Sequence, residues 1–318
     1  MSQPNQSHII DPVLTQVATV YSQDAANFIA ARAAPIVNVN NQAGKFYTIP
    51  KGNFFADQAQ RRPPGTESVG SGYTLSSDSY HCDVWALHKD VDHQIKAQSA
   101  NPFDWASNAS RFCMDQMLIR RERMFVESCF GTSIWGTDNT LSGSNQWSDP
   151  TSSVMSQIDT AKETVMLATA REPNTLILDF RVYNKLRQHP EIRARLGTSS
   201  DRPLDADFAD ISRILGVEKV LVLKSMYNSA VEGAAVSLAS ISGKHALLCH
   251  TTSSPSLDVP SAMYTFMWSN LNGAGMGGIN ISSFEMPELK STRIEAEMAL
   301  DIKVTASDLG YFFADAVA

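Results

Sequence analysis

The sequence lacks most of the features that announce a chemical function. Its four cysteines, Cys82, Cys113, Cys129 and Cys249, are too far apart for a Cys-x-x-Cys metal or redox pair. They read as free, partly buried thiols in a reducing cytoplasm. No apolar run approaches the roughly 20 residues that a membrane-spanning helix needs. The N-terminus is polar rather than signal-like, so the expectation is a protein made and kept in the cytoplasm. A basic excess is also missing: 33 acidic residues outnumber 26 basic ones, for a net charge of −7. Nucleic-acid binders ordinarily carry a basic face, so sequence-specific DNA recognition is not expected. The one dense basic cluster, Arg120, Arg121 and Arg123, is diluted by Glu122 and Glu127. It reads as a solvated helix face or a source of ion pairs between subunits.

Catalytic signatures are missing too. There is no Gly-x-Ser-x-Gly elbow and no His-Glu-x-x-His. Gly273-Ala274-Gly275-Met276-Gly277-Gly278 lacks the Lys-Ser/Thr of a phosphate-binding loop and reads as a flexible join. His245, Cys249 and His250 lie within six residues, but a strand sends 249 and 250 to opposite faces and no further ligand joins them. His81, His88 and His93 spread along an alternating segment and do not converge. The expectation is therefore no catalytic, cofactor-binding or metal-binding residue, no cofactor, and no enzyme.

What is present is a core-forming chain of 318 residues, 43% hydrophobic, long enough for about two domains. Charged residues make up only 19%, against about 25% in ordinary soluble proteins. A subunit that hides surface against its neighbours has such a composition. Asp11-Pro12 reads as a helix start, with Val13, Val17, Val20, Tyr21 and Phe28 at helical spacing after it until Pro35. Residues 45–49 are strand-like, 58–72 are polar and Gly/Pro-rich, and from Tyr80 to Leu87 the chain alternates again. Two strands joined by a polar tip bury little against their own chain, and lone hairpins are marginal in water. A partner surface is implied.

After Asn101-Pro102, no glycine or proline interrupts the chain from Phe103 to Phe130. That length predicts a beam-like helix of about 42 Å, with Ala106, Ala109, Cys113, Met117 and Met124 inward and Arg111, Asp115, Arg121 and Glu122 elsewhere. Residues 132–148 read as a loop. Asp149-Pro150 opens a second helix carrying Val154, Ile158, Ala161, Val165 and Ala168 on one face. Then come a strand at 175–178, a helix capped by Asp179, a turn of helix from Pro190, a helix from Phe208 closed by Gly216, and a strand at 220–223: a compact α/β unit. Further strands are expected at 246–249, 262–268, 292–305 and 311–313.

This order of parts resembles the major capsid proteins of tailed double-stranded DNA phages, the Hong Kong 97 fold. Phrases match as well. Glu172-Pro173-Asn174-Thr175-Leu176-Ile177-Leu178, with Val182-Tyr183, Leu186 and His189-Pro190-Glu191-Ile192, is similar to the start of that family's axial domain. Phe208-Ala209-Asp210-Ile211 through Gly216-Val217-Glu218-Lys219-Val220-Leu221-Val222 is similar to the next phrase of the same domain, and Arg293 through Phe313 to the family's C-terminal strand.

The resemblance implies an α+β chain built of an N-terminal arm (1–44), an extended β-hairpin loop (45–97), a peripheral domain with the long spine helix (98–172), an axial α/β domain (173–286) and a C-terminal strand returning to the peripheral domain (287–318). It implies a subunit assembling into hexamers and pentamers of an icosahedral virion shell in the host cytoplasm. The implied partners are a portal, a separate scaffolding protein and packaged DNA touched non-specifically, with a decoration protein as a further candidate. Some members crosslink covalently through a loop lysine. Residues 56–79 contain none, so non-covalent assembly is expected. The same fold also builds nanocompartments of the encapsulin kind, which is the alternative, and a soluble α/β enzyme is a more remote one.

Overall fold

The strand Ser291–Val304 is the axis of the first sheet. Its alternating sequence sends Ile294, Ala296, Met298, Leu300 and Ile302 to one buried face. It runs antiparallel to Asp83–Asp92, to Ile279–Met286 and to Met263–Trp268, and Ile36–Val39 adds in parallel to the last of these. The computed structural model describes residues 23–48, 51–98, 104–196, 207–252, 254, 259–272 and 278–318.

The long helix Trp105–Cys129 lies on this sheet, with Cys113, Met117, Phe125 and Cys129 packed in one core with Ala296, Met298 and Leu300. Its 25 residues span about 38 Å. The expected cap at Asn101-Pro102 lies outside the described residues. The cap observed is Asp104, whose side chain accepts from the Ala106 and Ser107 N–H groups. The expected stripe holds at Ala109, Cys113 and Met117. Arg121 and Glu122, expected to face elsewhere, are buried.

The second sheet has the strand order Thr137–Thr140, Gly310–Ala314, Ala246–Cys249, Thr175–Asp179, Lys219–Leu223. Its three middle strands are buried at every residue, which is why they read as continuous apolar runs rather than alternating ones. Leu176, Leu178, Ala246, Leu248 and Phe313 face the helices Val154–Thr169, Phe180–Gln188, Pro190–Arg195 and Phe208–Leu215. Ile177, Leu247, Cys249 and Phe312 face the other way, into the core shared with the long helix. One sheet thus separates two cores and fastens the α/β unit to the helix.

Local chemistry sets the boundaries. Asp179 caps its helix through the Arg181 N–H, and Gly216 closes the helix Phe208–Leu215 in the left-handed region, at φ +59°. The second helix starts at Val154, not at Asp149-Pro150. Asp149 is consumed in a turn, accepting from the N–H and hydroxyl of Thr151. The expected loop at 132–148 contains the strand Thr137–Thr140, which pairs parallel with Gly310–Ala314. The C-terminal segment divides: Ser291–Val304 belongs to the first sheet and Gly310–Ala314 to the second. Tyr311, Phe312 and Phe313 are apolar on both faces, so they fit only a strand covered on both sides. The expected N-terminal helix lies largely outside the described residues. From residue 23 onward the chain forms a turn, Ala25–Asn27, and a short helix, Ala30–Ala33, rather than a helix running through Phe28.

Candidate assembly surfaces

The strand expected at 45–49 is Ala43–Thr48, and it pairs antiparallel with Ser76–His81 from Ala43↔His81 to Thr48↔Ser76; the partner strand expected from Tyr80 to Leu87 divides, because Asp83–Asp92 pairs with Ser291–Val304 instead. The base of this hairpin is anchored by aromatic packing. The Phe46 and Tyr80 rings stack on the fully buried Phe266 at 5.3 and 4.7 Å between centroids. Gly44 is required there, because a Cβ would lie 2.5 Å from the Tyr80 hydroxyl oxygen and within 3 Å of its ring. Beyond the base, every residue from 56 to 79 is exposed.

Apolar side chains protrude with the rest: Tyr47 is 69% exposed, Tyr73 64% and Phe55 60%, with Val69 and Leu75 close behind. An exposed ion pair, Lys51 to Asp308 at 2.6 Å, links the loop to the body, and such pairs contribute at most about 1 kcal/mol. A projection that exposes five apolar residues is a candidate contact surface.

A second projection rises from the α/β unit. Met226–Asn228 pairs with Leu238–Ser240, and the Asn228 side chain accepts from the N–H groups of Ala230 and Ser237 to hold the turn. Val231, Val236 and Leu238 are exposed on it.

The arginine cluster is not the expected solvated face. The Arg120 guanidinium lies 4.0 Å over the Trp85 ring, and that of Arg123 lies 4.9 Å over Tyr227. Arg121 and Glu122 are buried, and the two Glu122 oxygens accept from the Ile29 and Ala30 N–H groups at 2.9 and 3.0 Å. Burial pushes the Glu122 carboxyl up, while those two amide bonds, Arg121 and Arg32 act to hold its charge. Burial lowers Arg121. Sequence alone missed this because charge on a helix is ordinarily solvated. The available signal was helical spacing: Glu122 lies four residues after Leu118 and three before Phe125.

The histidine and cysteine candidates are engaged separately. Cys249 is fully buried and burial raises its thiol pKa. The Nδ1 of His250 lies 2.8 Å from the Glu172 carbonyl, and the Nδ1 of His245 accepts from the Asp315 N–H at 3.0 Å. His81 lies 3.3 Å from Asp83, and His93 lies 3.0 Å from Glu285. Among the described residues, no three of His, Cys, Asp or Glu are grouped to hold a metal ion. Of the glycine-rich join only Gly278 is described, at φ +83° with Met267 pressed against it.

One pairing that sequence reasoning did not foresee is Ser152 with His189, both buried, Oγ to Nε2 at 3.1 Å. The His189 Nδ1 accepts from the Glu191 N–H, which leaves the ring proton on Nε2, shared between Ser152 and the Asp149 carbonyl.

No family model matches the chain. It is 27% identical over 318 residues, 97% of each chain, to the major capsid protein of Pseudomonas phage JBD67. It is 24% identical over 229 residues, covering 71% of this chain and 73% of the other, to the major capsid protein of Burkholderia phage BcepMu. Among solved structures, a phage-related protein from Bordetella bronchiseptica RB50 superposes with a TM-score of 0.71 at 20% identity, over 98% of both chains. The capsid of cyanophage P-SCSP1u gives a TM-score of 0.57 at 12% identity, covering 89% of this chain and 86% of that one. The SrpI encapsulin of Synechococcus elongatus gives 0.52 at 10%, covering 99% and 96%.

Proposed function

We infer that this chain is a tailed-phage major capsid protein with the Hong Kong 97 fold, a structural subunit of the shell. The observation that carries the reading is the pairing of a near full-length likeness to named capsid proteins with a projecting hairpin that its own chain leaves bare.

On this reading residues 1–44 are the arm and 45–97 the loop that lies over a neighbour. Residues 98–172 are the peripheral domain, joined by part of 287–318, and 173–286 are the axial domain, whose apolar hairpin Met226–Ser240 points toward the centre of a hexamer or pentamer. Assembly is non-covalent, since residues 56–79 offer no lysine. The function is burial of surface rather than chemistry on a substrate. DNA is held by confinement: the net charge is −7, and Arg120 and Arg123 are spent on aromatic rings within the chain. Assembly takes place in the host cytoplasm with a separate scaffolding protein and a portal, and a decoration protein is a further candidate partner.

Electron microscopy of the expressed protein tests the reading. Rings, tubes or shells are expected, and uniformly small particles would overturn it. Replacing residues 57–73 with a short Gly-Ser turn keeps both strands of the hairpin. That variant is expected to stay folded and soluble but to assemble poorly; normal shells from it would remove the role given to the loop. Closed, regular shells formed by this chain alone would contradict the need for scaffolding. The encapsulin likeness makes a nanocompartment the second reading, and shells purified with a cargo enzyme instead of a genome would favour it.

A further inference from the structure

Four consecutive residues of the long helix, Arg120, Arg121, Glu122 and Arg123, carry charges that shell building by surface burial does not require. Three of them reach three different elements. Arg120 lies on Trp85, in the strand that leaves the extended loop. Glu122 holds the arm, supplying from a distance the cap that the short helix Ala30–Ala33 lacks in its own sequence. Arg123 lies on Tyr227, in the hairpin of the α/β unit.

The three contacts are also joined to one another. One oxygen of Glu127 is shared between Arg123 at 3.3 Å and Arg120 at 3.8 Å, so the loop-strand contact and the hairpin contact use one counter-ion. Earlier in the arm, Gln23 closes a circuit. The Gln23 side chain both donates to the Met226 carbonyl, at 2.6 Å, and accepts from the Met226 N–H, at 3.0 Å, beside the ring that Arg123 covers. Phe28 and Ile29 are the large buried side chains of residues 28–34, beside the small Ala30, Ala33 and Ala34. The polar catches add to that apolar packing.

We propose that residues 120–123, with Glu127 and Gln23, form a coupling hub that ties the extended-loop strand, the N-terminal arm and the axial hairpin together, so that displacement of one loosens the other two. On the shell reading the arm, the hairpin and the projecting loop that runs back into the strand Asp83–Asp92 meet neighbouring subunits, while that strand itself is paired with Ser291–Val304; the hub rests on that reading for its purpose. A subunit so built passes the docking of its loop on to its arm and hairpin. The coupling itself is a property of the single chain. Networks that share charged groups couple in this way, with non-additive responses to substitution.

Hydrogen exchange on the full, unassembled chain tests it. Arg120→Gln is expected to speed amide exchange about threefold or more in the strand Asp83–Asp92 and also in residues 23–34 and 226–240. The amides of Thr175–Asp179 are expected to stay unchanged. Glu122→Gln is expected to do the same in all three elements starting from the arm. Arg111→Gln, an exposed position on the same helix outside the hub, is expected to change none of them. A change confined to the element each residue touches would overturn the proposal. So would a uniform change that includes Thr175–Asp179, which would mark the variant as merely destabilised. Uniformly small particles of the wild-type chain in electron microscopy would sink the shell reading and leave this result standing on its own.

Discussion

At the scale of single residues, charge is placed by register. Asp90 and Arg293 stand directly opposite each other on paired strands and form two bonds, Oδ1 to Nε at 2.7 Å and Oδ2 to Nη2 at 2.8 Å. The guanidinium holds the Asp90 carboxyl below the usual aspartate range. A lowered carboxyl stabilises the fold above its unfolded pKa, about 3.9, and that contribution is lost as the pH falls through the lower folded value. The stability gap between wild type and Asp90→Asn, measured by urea unfolding, is therefore expected to be flat from about pH 7 to 5 and to shrink below about pH 4. A gap that instead closes between pH 7 and 5 would show that another group is responsible.

The cysteines give a second prediction at this scale. All four are free and buried, and burial, with a smaller push from the charge of Asp301, raises the Cys82 thiol to about 11. Thiolate, not thiol, is the reactive form. A thiol reagent at about pH 8 is thus expected to leave the native chain unlabelled and to label four sites after unfolding. Rapid native labelling of Cys249 would contradict its placement between the two sheets.

At the scale of elements, amphipathic patterns were legible and pairings were not. Period-two alternation located Ser291–Val304 within a residue, and a helix cap and a left-handed glycine located the α/β helices, because these signals are local. The long helix begins at Trp105, where the side chain of Asp104 bonds the first helical amides. Thr137–Thr140 was invisible as a strand. It is short and polar, and only the backbone of Gly310–Ala314 makes it one.

The extended hairpin offers a test at the same scale. Adding one methyl at Gly44 places it against the Tyr80 ring, which must move off Phe266. Gly44→Ala is expected to cost about 1–3 kcal/mol, as overpacked sites do, with faster exchange at the hairpin amides and little change in Leu176–Leu178. An unchanged melting temperature together with an unchanged hairpin would show that the ring has room to retreat.

At the scale of the whole molecule, the described chain has two five-stranded sheets, one of them buried on both faces along its three middle strands, and bare projections at two places. The sequence by itself determined that the chain is α+β, that a long unbroken helix stands ahead of a compact α/β unit, and that a polar loop is left without cover. Each of these rests on periodicity, length or composition, which are properties of neighbours in the chain. Tertiary structure alone decided that Glu122 and Arg121 are buried, that the C-terminal segment divides between two sheets, and that the arm, the loop strand and the hairpin converge on one turn of the long helix. Each of these depends on residues far apart in the chain, 93 positions for Glu122 and Ile29 and 203 for Gln23 and Met226. No local pattern encodes which of several apolar faces a strand will choose, or which buried amide a distant carboxylate will satisfy.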